Sequence, residues 1–127
     1  MADFKYANHA AGMTIGVIAQ TAASAIEAGD LVDAGLEKAA AADTSVKFLA
    51  MSDAESGAEV ELMPLLNGTI LKGTVNGDGG VSEGDSIGIA VATNAQVLDA
   101  DASNSLFIAL EDGAAAAEIK VLVIAGM

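Results

Sequence analysis

Histidine, cysteine and converging carboxylates build most active and metal sites, and this chain is sparing with them. His9 is its only histidine, and it has no cysteine. General-base work would need a second group to orient His9 beside a nucleophile. His9 instead follows Asn8 in an aperiodic segment, so a solvated or interfacial role is expected. Lack of Cys and of a second His removes thiolate chemistry and the usual zinc sets. Ser45, Ser52 and Ser56 have no base nearby in sequence, which leaves a serine nucleophile unsupported. Asp99-Ala100-Asp101-Ala102-Ser103-Asn104 resembles the opening of a calcium loop. Such loops want Gly at the sixth position and a bidentate acid at the twelfth, and here Asn104 and Leu110 stand there. Asn76-Gly77-Asp78-Gly79-Gly80 reads as a hairpin connection, since Gly, Asn and Asp tolerate turn backbones. The stretch 77–84 lacks the G-K-[ST] ending of a phosphate cradle. Glu59 and Glu61 share one strand face, the pattern of a solvated surface. No catalytic, cofactor-binding or metal-ligating residue is expected, and the chain reads as a non-enzyme.

Composition points the same way. The chain of 127 residues suits one domain. It is 53% hydrophobic, but 28 of its residues are alanine, which bury little side-chain area. The core must therefore be thin or completed by a partner. Five Lys, no Arg and 18 acids give a net charge of −13. That balance cannot build the basic stripe that nucleic acid requires, and it argues against anionic membrane surfaces. It does permit docking on a basic protein surface and keeps crowded copies apart. No apolar run reaches the length that spans a bilayer as a helix. The segment 12–25 faintly resembles a signal sequence, but its upstream part has no basic cluster, so cleavage is not expected.

The elements that would carry any site are strands. From Met13 onward short Val, Ile and Thr runs alternate with Gly, Asn, Asp and Ser, the rhythm of sandwiches and barrels. The pattern predicts strands over 14–20, 30–33, 46–52, 59–65, 69–75, 86–92, 106–110 and 119–124. Ala-rich 21–28 and 37–42 allow one or two helical turns, since Ala favours helix but neither run is long enough to stand alone. Residues 1–12 lack periodicity and read as an N-terminal arm ordered by a partner. Within it Phe4, Lys5, Tyr6 and His9 are the candidate contact residues. Deleting residues 2–12 is accordingly expected to leave thermal stability almost unchanged.

The chain echoes itself. Phe48-Leu49-Ala50-Met51-Ser52-Asp53 is matched by Phe107-Ile108-Ala109-Leu110-Glu111-Asp112, and the same register pairs Ala58-Glu59-Val60 with Ala117-Glu118-Ile119. Ile26-Glu27-Ala28-Gly29-Asp30 is echoed by Val81-Ser82-Glu83-Gly84-Asp85. The expectation is an all-β domain over 13–127, a small β-barrel or β-sandwich (β-tulip-like) built from two similar β units at about 26–65 and 81–124.

In Ile26–Val32, Ser45–Met51, Gly57–Leu62, Gly84–Ile89, Asn104–Leu110 and Glu118–Leu122, the chain resembles the capsid decoration (cement) proteins of tailed bacteriophages. The resemblance implies a structural virion protein without cofactor. It implies binding, commonly as a homotrimer, to the major capsid protein on the outer surface of the head, where it bridges capsomers. The arm residues Phe4 and Tyr6 would then dock in capsid grooves, or the arm would add a strand to a capsid sheet. Two alternatives come from other classes. Lipoyl and biotinyl carrier domains also have Gly-Asp turns in duplicated β halves, with Lys72 as the nearest attachment candidate, although its flanks read as mid-strand. A calcium-stabilised adhesin-like module is the other.

Overall fold

The computed structural model describes residues 4–10, 16–41, 43–92, 95–100 and 105–125. Ten strands run in chain order: β1 (Phe4–His9), β2 (Ile18–Thr21), β3 (Leu31–Asp33), β4 (Val46–Ala50), β5 (Glu59–Pro64), β6 (Thr69–Thr74), β7 (Ser86–Ala92), β8 (Ala95–Asp99), β9 (Phe107–Ala109) and β10 (Glu118–Val123). They form two antiparallel sheets, one of six strands in the order β1-β6-β10-β9-β7-β8 and one of four in the order β2-β5-β4-β3. The arrangement is sandwich-like, and the sheets do not close into a barrel. One parallel bridge, Val75 to Leu98, draws β8 toward the end of β6. The described residues contain no helix. The Ala-rich segments run as turns and single bridges instead, because Ile26 pairs with Ala54 and Ala39 N–H donates to the Leu31 carbonyl. Those tertiary partners override a weak local propensity.

Alternation along the strands builds the core. In β6 and β10, Leu71, Ile119 and Val121 point inward and are almost fully buried, while Lys72 and Lys120 point out. The main cluster gathers these with Ile87, Ile89, Leu98 and Phe107, and with Leu31, Leu49 and Met63 from the smaller sheet. A second, smaller cluster, with Val32, Phe48, Val60 and Leu62, lies on the other face of the four-stranded sheet.

The sequence echo falls on matching hydrogen bonds. Asp30 N–H donates to the Glu27 carbonyl and Asp85 N–H to the Ser82 carbonyl, each at 3.0 Å. The third turn residues, Gly29 and Gly84, have φ of 94° and 90°. A type II turn demands that left-handed value, which glycine adopts without steric cost. Each Asp side chain closes its own turn, Asp30 on Glu27 N–H and Asp85 on Ser82 N–H, both at 2.9 Å. A second aspartate caps the turn from outside: Asp53 accepts from Ala28 N–H at 2.8 Å and Asp112 from Glu83 N–H at 2.7 Å. The strand orders β2-β5-β4-β3 and β6-β10-β9-β7 also correspond, with β1 and β8 outside that correspondence.

The two sheets are also tied by a polar staple. Gln96 on β8 is 1% exposed. Its Oε1 accepts from Leu31 N–H at 2.7 Å, and its Nε2 donates to the carbonyls of Leu31 at 2.9 Å and Ala39 at 3.0 Å. Residues 37–39 pair with part of the outer edge of β3, and the Gln96 side chain completes it by satisfying the Leu31 N–H.

Candidate functional site

Four side chains carry the sequence-derived contact reading, and the structure separates them. Residues 4–9 do not form a loose arm. They form β1, paired antiparallel with β6 along Phe4–Gly73, Lys5–Lys72 and Tyr6–Leu71. Phe4 is 1% exposed, and its ring lies 6.0 Å from that of Phe107. Gly73 makes room for it, because a Cβ there would sit 2.6 Å from the Phe4 ring. Tyr6 is half-buried against the same cluster. A register shift between Tyr6 and Asn8 then turns Asn8 outward and His9 inward. His9 is 7% exposed, and its Nε2 lies 2.9 Å from the Asn67 carbonyl. A carbonyl only accepts, so Nε2 carries the proton in that bond. Phe4 and His9 are therefore core residues and not contact residues. Deleting 2–12 removes a core aromatic and a whole sheet edge, which corrects the expectation that such a deletion leaves stability unchanged.

Lys5 is the one of the four that is fully outside, and it has company. Its Cα partner is Lys72, whose partner on the other side is Lys120. Directly opposed residues share a sheet face, so three of the chain's five lysines stand in one row on the outer face of the six-stranded sheet. Glu118 joins this face, with Lys5 Nζ 3.3 Å from its carboxylate. Both side chains are about half exposed, so the pair adds little stability. The next row on that face is Asn8, Ile70, Leu122, Ile108 and Ser86, with the three apolar members half-buried. A basic row beside an apolar row, on a chain of net charge −13, is a surface suited to an acidic or mixed protein partner. The signal was present in the sequence as Lys5, Lys72 and Lys120. Only the strand register brings them together.

The other sequence candidates fall elsewhere. Lys72 lies mid-strand with partners on both sides, which is not the exposed hairpin tip that carrier domains use. Asp99 is within hydrogen-bond reach of Asn76 Nδ2 at 3.4 Å. Residues 101–104 of the calcium-like stretch lie outside the described residues. Among the described residues no three His, Cys, Asp or Glu side chains converge as metal ligands. Glu59 and Glu61 are both exposed on β5.

One acidic pair was not legible in the sequence. Asp33 and Asp43 flank the loop after β3 and interact through their carboxyls. Burial pushes the Asp33 carboxyl up, and Asp43 adds to the rise. Burial pushes Asp43 up as well, but hydrogen bonds from Ser45 N–H and Ser45 Oγ, both at 2.8 Å, outweigh it and hold that carboxyl low. Asp33 therefore holds a proton more readily folded than unfolded. Its contribution to stability is full below the ordinary carboxylate value of about 4 and fades as pH rises through the raised folded value. Asp33→Asn, which imitates the protonated acid, is expected to raise Tm at neutral pH. The gain should shrink as melts are repeated at falling pH through the raised Asp33 value, where the wild-type carboxyl takes up its own proton.

No protein-family model matches the chain, and no curated protein matches it as a relative.

Proposed function

We propose that this chain is a capsid decoration protein of a tailed phage, built as two copies of one four-strand unit. The observation that carries the reading is the doubled turn. Two of the six segments on which the resemblance rests, Ile26–Val32 and Gly84–Ile89, include the residues that close the same Gly-Asp turn twice. The protein works by binding and transforms no molecule. It sits on the outer surface of the virion head, after synthesis in the host cytoplasm, and bridges major capsid protein subunits. A homotrimer multiplies weak contacts through effective concentration. The lysine row of the six-stranded sheet, rather than a loose arm, is the face that meets the capsid, since a chain this acidic needs a local patch of opposite sign to steer docking. Neither nucleic acid nor membrane is a partner in this reading.

The test mixes purified protein with a panel of expanded, undecorated tailed-phage heads and sediments them. The expected result is saturable co-sedimentation with at least one head type, a higher disruption temperature for those heads, and loss of both in a Lys72→Glu, Lys120→Glu variant. Light scattering on the free protein reads the oligomer. A strict monomer that stays in the supernatant with every head, while folded, would overturn the proposal.

A further inference from the structure

The two sheets differ at one edge. β6 and β2 hold equivalent places, outermost in the orders β6-β10-β9-β7 and β2-β5-β4-β3, with Thr74 opposite Glu118 and Thr21 opposite Glu59. β6 carries β1 on its far side. Among the described residues β2 pairs with β5 alone. All four residues of β2 are exposed, and Val17 and Ile18 are 51% and 41% exposed. Proteins usually guard such an edge with lysine, proline or a bulge. β2 has none of these, and its register on β5 is unbroken from Ile18 to Thr21.

We propose that the free edge of β2 accepts an extended strand from the binding partner, laid antiparallel as β1 lies on β6. The internal example also defines the chemistry of the strand. In β1, Lys5 reaches across β6 to Glu118 at 3.3 Å. Glu59 stands in the position on β5 that Glu118 holds on β10, and Glu61 follows it on the same exposed face. A strand on β2 therefore needs a Lys or Arg to meet these acids, with apolar residues alternating toward Ile18. A second copy of this chain is disfavoured as occupant. Pairing β2 with β2 would bring Glu59 and Glu61 of each copy together, on bodies that each carry −13. The inference deepens the docking reading and takes the partner from it, but strand acceptance is measurable without a capsid.

The probe is a synthetic peptide with the sequence of residues 3–10, titrated into the isotope-labelled full chain to a few millimolar and followed by NMR and amide exchange. The protein's own β1 is tethered to β6 and outcompetes free peptide there. The expected result is saturable shift changes at residues 17–21 and 59–62, with exchange of the β2 amides slowed about tenfold. A peptide with Glu in place of its Lys should bind several-fold more weakly, and Glu59→Lys in the protein should reverse that order. Ala19→Pro, at a position whose N–H faces away from β5, should abolish binding while leaving the rest of the spectrum in place. Absence of shifts at β2, shifts confined to β6, or concentration-dependent dimerisation through β2 without peptide would each overturn the proposal. Capsid binding that survives Ala19→Pro would leave decoration standing and remove strand acceptance.

Discussion

Phe4→Ala is expected to lower the unfolding free energy by about 3–5 kcal/mol, the usual cost of deleting a buried Phe ring. Phe4 is 1% exposed and touches Phe107 and the space above Gly73. Its removal leaves a cavity lined by the stiff backbone of β6, which has little freedom to collapse. Small domains are stable by only about 5–15 kcal/mol, so the variant should melt far earlier than the wild type in a urea or thermal titration. Lys5→Ala on the same strand is the control. Its ion pair with Glu118 is half exposed, and its loss should cost less than about 1 kcal/mol. Equal effects from the two variants would mean that β1 holds through its ladder alone and that the ring is incidental.

Gln96→Leu is expected to rank second. The substitution is nearly isosteric, yet it strips three hydrogen bonds from Leu31 and Ala39. The Leu31 N–H and the Ala39 carbonyl then lose the side chain that satisfied them, at about 1–3 kcal/mol for each buried unpaired group, while the Leu31 carbonyl keeps its bond from Ala39 N–H. A loss of roughly 3 kcal/mol or more in equilibrium unfolding is the expected outcome. Amide exchange should speed up first at Leu31, before any change in β9 and β10. A stability within about 0.5 kcal/mol of wild type, the range of neutral surface changes, would show that water replaces the staple.

Much of the strand pattern was legible because the physics is local. Val60 and Leu62 point inward between Glu59 and Glu61, as their alternation requires. All eight expected strand regions contain a strand, with shifted ends where the ladder stops early, as at Ile18. Two strands were not legible. In β1 the register shift between Tyr6 and Asn8 interrupts the period that would have marked it. In β8 the buried Gln96 breaks the apolar run, and only the Leu31 N–H of β3, far away in sequence, explains a polar side chain there. The Gly-Asp turns were visible as an echo, but not the external caps from Asp53 and Asp112. The lysine row was hidden for the same reason, since register across three strands is a tertiary fact. The Asp33–Asp43 pair depends on how the loop after β3 folds back, which no spacing rule encodes.

The position of β6 bears on how the molecule is made. Its two neighbours, β1 and β10, lie at opposite extremes of the described chain, and the Lys5–Glu118 contact spans 113 positions. A ribosome-bound nascent chain that has released the four strands of the smaller sheet can pair those among themselves. It cannot finish the larger sheet until residues 118–123 emerge. Such distant pairings place the protein among slow folders, on a millisecond-to-second scale. Until then the apolar side of β6, with β1 attached, stays open to water and to other nascent copies.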